Sequence, residues 1–385
     1  MTLLSRRSLL VVAVCVAWLP VSGVAQAPAS LQAALASIDA RVSADFARDG
    51  VGGMSVGVVS GSALVWSKHY GYAEAETKRV ATNDTDYRIG SITKQFTALA
   101  LMQLVEQGRM RVSDPIEKYV PEIKAVEGAP SGSSPITILQ VGTMMSGLSR
   151  EPGCQNHSVG PVSIWQKKVL DCLPQTKYQY EPGTQYLYSN IGYATLGVAI
   201  ERAGGKPYIA QVTERIFTPL GMTRSSFEPT ATVRRDLAHG YVRPNGGGAA
   251  SRATPDAELE GRGYRVPNGA IFSTITDLAK FVAWELGTSQ ATLLKKETQS
   301  ANYDVVYSAA TAGNNPMASG YGLGFQLVRR GDVVMLGHGG STAGYHAAAL
   351  FHRKSGLGVI VLRNCDSCAV DAQPVAVGIL SELAK

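Results

Sequence analysis

Ser91 and Lys94 stand three residues apart in YRIGSITKQF, at the start of an apolar run (Phe96, Leu99, Leu101, Met102, Leu104) that predicts a mostly buried helix over Ile92 to Gln107. A cation in a first turn opposes the helix dipole, which favours a carboxylate there by roughly 0.3–1 kcal/mol. A serine at a helix N-terminus and a lysine three residues on share one face, so the amine reaches the hydroxyl. Burial and the helix N-terminus both disfavour the charged lysine, and a neutral amine can take the serine proton. The same helix start offers the Ser91 backbone N–H to a developing oxyanion. The plainer alternative is a capping serine and a lysine that snorkels to water. Spacing alone leaves both open, because S-x-x-K arises by chance about once in a chain of this length.

Two further segments carry candidate chemistry. In YLYSN, Ser189 or Asn190 caps a helix starting at Ile191, and Tyr188 is placed to act as a second acid/base group if a nearby cation depresses its pKa. A tyrosine beside a cap also serves as packing. In GHGGSTAGYH (Gly337 to His346), three glycines in four residues allow another segment or a ligand to approach the backbone. They fit tight turns equally well, and His338 fits an ordinary strand end.

The elements around these residues come from both ends of the chain. A helical pattern over Leu31 to Arg48 precedes strands at Met54 to Val59 and Ala63 to Tyr70, joined by a turn at Ser60-Gly61-Ser62. Further β-prone runs span Gly324 to Arg329, Val333 to Gly337, Tyr345 to Phe351 and Gly358 to Arg363, before a helical tail from Val370 to Leu383. Helical patterns over Ile92 to Gln107, Ile136 to Met145, Ile191 to Arg202, Tyr208 to Phe217 and Thr276 to Leu286 fill the middle. The economical architecture is α+β: an antiparallel sheet built from both termini and flanked by helices, with a mostly helical domain inserted. The expected boundaries are 26–85 with 265–385 for the sheet domain and 86–264 for the helical one. Ser308 to Ser319 reads as a mobile loop.

Taken together, Ser91-Ile-Thr-Lys94, Tyr188-Ser-Asn190 and His338-Gly-Gly340 resemble, in order, the S-x-x-K, Y-x-N and K-T-G segments of the serine β-lactamase and penicillin-binding-protein superfamily. YEPGTQYLYSNIGYATLGVAIE, FTPLGMTRSSF and YGLGFQL are similar in wording to the branch holding class C β-lactamases, D,D-peptidases, D-aminopeptidases and related esterases. The resemblance implies Ser91 as nucleophile, Lys94 and Tyr188 as the proton-transfer pair, and Asn190 as orienter of Lys94 and the substrate amide. It also implies His338 and Gly340 on the far wall of the cleft, with the Ser341 N–H completing the oxyanion hole, and no metal or organic cofactor. One departure bears on substrate: His338 and Gly339 stand where the lactamase form has Lys and Thr. A neutral histidine and a missing hydroxyl weaken the grip on a free carboxylate.

Two look-alikes are set aside. Gly53-Met-Ser55-Val-Gly57 fits G-x-S-x-G, but that elbow needs a strand before its serine and a helix after it, and here the order is inverted. Lys354-Ser355-Gly356 imitates K-T-G where two strands must turn.

Composition narrows the setting. Arg6 and Arg7, the apolar run Leu9 to Leu19 and small residues near Ala25 read as a signal peptide over 1–25, general secretory or twin-arginine in type. Removing it lowers the net charge from +6 to +4, too mild for nucleic acid, and no later stretch reaches about 18 apolar residues, so no stable membrane anchor is expected. The location expected is secreted or periplasmic, where Cys154 with Cys172 and Cys365 with Cys368 is the simplest disulfide pairing. The arginines between Arg215 and Arg265 read as solvated surface, with an anionic ligand as the alternative. The substrate expected is a D-amino-acid peptide, then a carboxylic ester, then a β-lactam at low rate. A penicillin-recognising sensor that acylates without turnover is the non-enzymatic alternative. Oligomeric state is not legible.

Overall fold

The computed structural model describes residues 24–244, 248–304, 307–308 and 320–385. Most of the expected signal peptide, most of the loop Ser308 to Ser319, and residues 245–247 lie outside them.

Helix α1 (Ala29–Ala47) leads into β1 (Gly53–Ser60) and β2 (Ala63–Gly71). Six later strands complete one sheet: β3 (Tyr307–Ser308), β4 (Gly320–Tyr321), β5 (Gln326–Arg330), β6 (Val333–Thr342), β7 (Tyr345–His352) and β8 (Leu357–Arg363). Their order is β2-β1-β8-β7-β6-β5-β4-β3, antiparallel throughout, so β1 from the N-terminal part of the chain pairs with β8 from the C-terminal part, Val56 opposite Val361. The expected sheet from both termini is therefore the observed one.

Both faces of the central strands are covered, which explains why β8 reads LGVIVLR with no polar alternation: all seven residues are buried. Val359 and Val361 point into a core shared with α1 and with α5 (Ala372–Leu383). Ile360 and Leu362 point into the larger core formed with α4 (Ile275–Glu285) and the helical segments. Among those segments, α2 (Thr93–Glu106) is buried from Thr93 to Leu104, its polar residues Lys94, Gln95 and Gln103 included. It crosses close to α3 (Asn190–Gly204), which the Ser189 hydroxyl caps by accepting from the Gly192 N–H.

Most boundaries shift by a residue or two from the sequence reading, and three differences bear on the site or have a clear local cause. A tight 3₁₀ turn, Gly90–Ile92, precedes α2, so Ser91 sits in that turn and not in an α-helical first turn. The helix expected over Ile136 to Met145 shrinks to Ile138–Gly142, started late by the Thr137 cap and ended by Met144 at φ 61°. β6 continues past Gly337 to Thr342, because β7 pairs with it residue for residue and overrides the low strand propensity of its glycines.

Disulfides join Cys154 to Cys172 and Cys365 to Cys368. Among the described residues no helix is long and apolar enough to cross a membrane.

Candidate active site

The turn at Gly90–Ile92 leaves the Ser91 hydroxyl partly exposed while Lys94, one turn on, is wholly buried. The Lys94 Nζ lies 3.1 Å from the Ser91 Oγ, 2.8 Å from the Asn190 Oδ1 and 2.9 Å from the Asn268 carbonyl oxygen. Burial holds the amine well below the ordinary lysine range, and the charge of Arg150 pushes it the same way. A neutral amine has two N–H groups and one lone pair. Asn190 and Asn268 supply the two acceptors, so the lone pair is left for the Ser91 hydroxyl.

The Tyr188 ring covers Lys94, with the Nζ 4.7 Å from the ring centroid, and the Ser91 hydroxyl is near enough to its phenol to act on the phenol pKa. The condition set for Tyr188, a phenol pKa depressed by a nearby cation, is not met. Burial raises it, and the opposing influences of the Ser91 hydroxyl and of Arg150, 4.9 Å from the ring centroid, are too small to reverse that. The phenol is therefore protonated at rest and suits passing a proton on; Lys94 is the better base.

The opposite wall is β6. A Cβ on Gly340 would lie 2.0 Å from the Ile89 carbonyl oxygen, so only glycine lets this strand close on the turn that carries Ser91. Gly90, at φ 51°, fits from the other side: a Cβ there would stand 2.7 Å from the Ser341 nitrogen. This mutual approach sets the Ser341 amide against the turn that carries Ser91.

His338 is buried in the same strand and its pKa falls to about 3, chiefly because burial penalises the imidazolium. Its Nδ1 meets the Gly339 carbonyl oxygen, which can only accept, so Nδ1 carries the proton and donates. The Nε2, 3.0 Å from the Tyr321 hydroxyl, must then accept. Both ring nitrogens are spent on the protein. At Gly339 a Cβ would lie 2.3 Å from the Gln373 Oε1, so the amide of α5 occupies the space a threonine side chain would need.

These residues line one cleft of about 390 Å3, within the usual range for a small-molecule site. Ser91, Tyr188, His338, Gly340 and Ser341 all border it, while Lys94 and Asn190 lie behind Ser91. Its far end is formed by His346, between Asp366 (2.9 Å) and Asp371 (3.0 Å), together with Gln326 and Gln373.

Sequence reading missed Asn268 and Arg150. The former contributes a backbone oxygen that carries no side-chain signature, and the latter is an exposed cation at the cleft whose neighbour in space is Tyr188. The arginine run is not simply solvated surface: Arg262 is 4% exposed and lies near Glu258, and Arg224 bonds Asp86 and Asp236. Ser55, set aside above, is buried on β1 and bonded to His69 and Tyr87; Lys354 is exposed in the β7–β8 turn. Glu74, Glu76 and His239 are close enough to share an ion, but they do not line the cleft, and Arg79 (3.4 Å) and Arg252 (3.8 Å) already serve as counter-ions to their carboxylates.

A family model described as Beta-lactamase matches residues 38–383. Protein flp of Staphylococcus aureus is 26% identical over 330 residues, 86% of this chain and 63% of that protein. Beta-lactamase-like protein 4 of Dictyostelium discoideum is 28% identical over 342 residues, 84% of this chain and 58% of that protein. The chain thus spans about three fifths of the length of these two relatives. Among solved structures, the octameric penicillin-binding protein homologue from Pyrococcus abyssi superposes with a TM-score of 0.75 at 27% identity, covering 91% of this chain and 78% of that one.

Proposed function

The chain belongs to the beta-lactamase family of serine hydrolases, and on that premise we propose that it is an exported enzyme that cleaves amide or ester bonds through an acyl-enzyme, with D-amino-acid peptides as its first substrate class. The observation that carries this reading is the environment of Lys94: two acceptors hold its N–H groups while its lone pair faces the Ser91 hydroxyl at 3.1 Å.

In the reaction, the Lys94 Nζ takes the Oγ proton as the Ser91 Oγ attacks the substrate carbonyl carbon. The N–H groups of Ser91 and Ser341 receive the negative charge that develops on the carbonyl oxygen. Collapse breaks the bond to the leaving group, which receives the proton from Lys94 by way of the Tyr188 hydroxyl. Water then enters, gives its proton along the same route, and releases the acid and Ser91.

The far wall supports a preference within the class. With His338 neutral and both its nitrogens occupied, that strand offers no cation to a terminal carboxylate; of the cations at the cleft, Arg150 lies over the Tyr188 ring and His346 is held between two carboxylates, which favours aminopeptidase or endopeptidase action over carboxypeptidase action. The same observation supports the second reading, a carboxylesterase, since simple esters need no such cation. Two disulfides suit an oxidising compartment.

The test is to offer the purified protein D-peptides, short-chain p-nitrophenyl esters and nitrocefin side by side, with a fluorophosphonate probe. Wild type is expected to turn over and to be labelled; Ser91→Ala should do neither. Labelling that survives Ser91→Ala would overturn the assignment. A burst with no steady state would mark a sensor, and ester turnover without D-peptide turnover would select the esterase.

A further inference from the structure

Glu151 was not among the candidate residues, yet the base depends on it geometrically. Its Oε1 accepts a hydrogen bond from the Asn190 Nδ2 at 2.6 Å. Its Oε2 accepts from the Tyr264 hydroxyl and lies 3.2 Å from the Arg265 guanidinium, with the His157 Nε2 at 3.9 Å. The backbone around it is docked onto the start of α3: the Asn190 N–H donates to the Arg150 carbonyl (2.8 Å), and the Ser189 hydroxyl to the Ser149 carbonyl (2.9 Å). Three residues further on, Cys154 is tied to Cys172.

An asparagine amide is nearly symmetric in shape, so something must decide which end faces Lys94. A carboxylate can only accept. Paired with Glu151, the Asn190 amide must present its NH2 to the carboxylate and its oxygen to the Lys94 Nζ, 2.8 Å away. The reversed amide would direct an N–H at the amine, and a neutral amine would answer with its lone pair. The lone pair needed for Ser91 would then be engaged elsewhere.

Resting on the serine-hydrolase reading above, we infer that Glu151 is a positioning residue that locks the Asn190 amide so that the Lys94 lone pair stays directed at the Ser91 hydroxyl. Arg265, Tyr264 and Asn190 keep it anionic against the opposing effect of burial, which maintains an acceptor-only partner. Glu151 touches neither Ser91 nor the bond to be cleaved; it works through Asn190.

The experiment measures the acylation rate constant with a fluorophosphonate probe and a p-nitrophenyl ester for wild type, Glu151→Gln, Asn190→Ala and the double variant. Glutamine is the same size but can donate or accept, so the lock is lost while the packing remains. Glu151→Gln should lower the acylation rate on the order of tenfold with KM within about twofold, a loss in keeping with small misplacements of reacting groups. In the Asn190→Ala background the same change should cost less than about twofold. Wild-type acylation in Glu151→Gln, or an equal loss in both backgrounds, overturns the role. If Glu151→Gln does not fold, Tyr264→Phe, which removes one hydroxyl donor to the carboxylate, should lose a smaller share that likewise vanishes in the Asn190→Ala background; an undiminished loss there overturns the role. A wild type that fails to label overturns both this role and the reading it rests on, whereas a labelled wild type with an unaffected Glu151→Gln overturns this role alone.

Discussion

The two walls of the cleft are built on opposite terms. On the helical side, Lys94, Asn190 and Asn268 are buried and each polar atom facing Ser91 has a fixed partner. On the sheet side, β6 contributes glycines, a self-satisfied histidine and an end crowded by Gln373, Asp371 and His346. Desolvation on the first wall keeps a lysine amine uncharged, the state a base requires. Desolvation on the second removes the charge from a histidine, so the same physical effect creates chemistry in one place and deletes a binding group in the other.

Substitution can separate the two walls. The largest effect is expected from Lys94→Met, which fills the same space without a lone pair and should lower acylation about 10²–10⁴-fold. A stopped-flow ester burst of near wild-type rate would remove Lys94 from the mechanism. Activity should also fall as pH drops, with a midpoint below the ordinary lysine value near 10.4, because protonated Lys94 cannot accept. Lys94→Met should abolish that acid limb in whatever rate remains.

On the sheet wall, His338→Lys with Gly339→Thr would restore a cation and a hydroxyl, but the threonine Cβ would strike Gln373 at 2.3 Å, so Gln373→Ala must accompany them. The triple variant should raise the preference for substrates ending in a free carboxylate by about tenfold in relative kcat/KM, the worth of a new charge-assisted hydrogen bond. An unchanged ratio would mean that this wall does not read the carboxylate.

A smaller effect concerns stability at the far end. Two carboxylates outweigh burial and raise the His346 pKa to about 9, above the unfolded value near 6.5. A raised pKa means the stabilisation is complete below about pH 6.5 and is lost as pH rises through about 9. His346→Gln should therefore cost on the order of 1–2 kcal/mol at pH 6, allowing for the half-exposed Asp371, and much less at pH 10. Equal losses in urea melts at both pH values would contradict the pairing. The smallest change in activity is expected from Ser55→Ala, which should lose about 1 kcal/mol through its orphaned Tyr87 partner and keep kcat/KM within about twofold.

Much of the fold was legible because burial on both faces writes itself into β1, β7 and β8 as continuous apolar runs, and α2 announces itself the same way. The motif segments were legible too, as residue types at fixed spacing. Less legible were the ends of elements, where pairing with a neighbour overrode local preference, as in β6 through its glycines. The direction of the Tyr188 shift could not be read from the pattern, which shows which charges are available but not how much water has been removed.

The sequence by itself determined the S-x-x-K pair, the cap before Ile191 and the apolar runs of the central strands, all of which follow from neighbours within a turn or two. Only the tertiary structure decided that Asn268, 174 residues from Lys94, supplies an acceptor to it, that Gly340 meets Ile89, and that His338 has no donor to spare. Such facts depend on which distant backbone atoms arrive at the same point and on how completely they exclude water, and neither distance nor desolvation is encoded in local spacing.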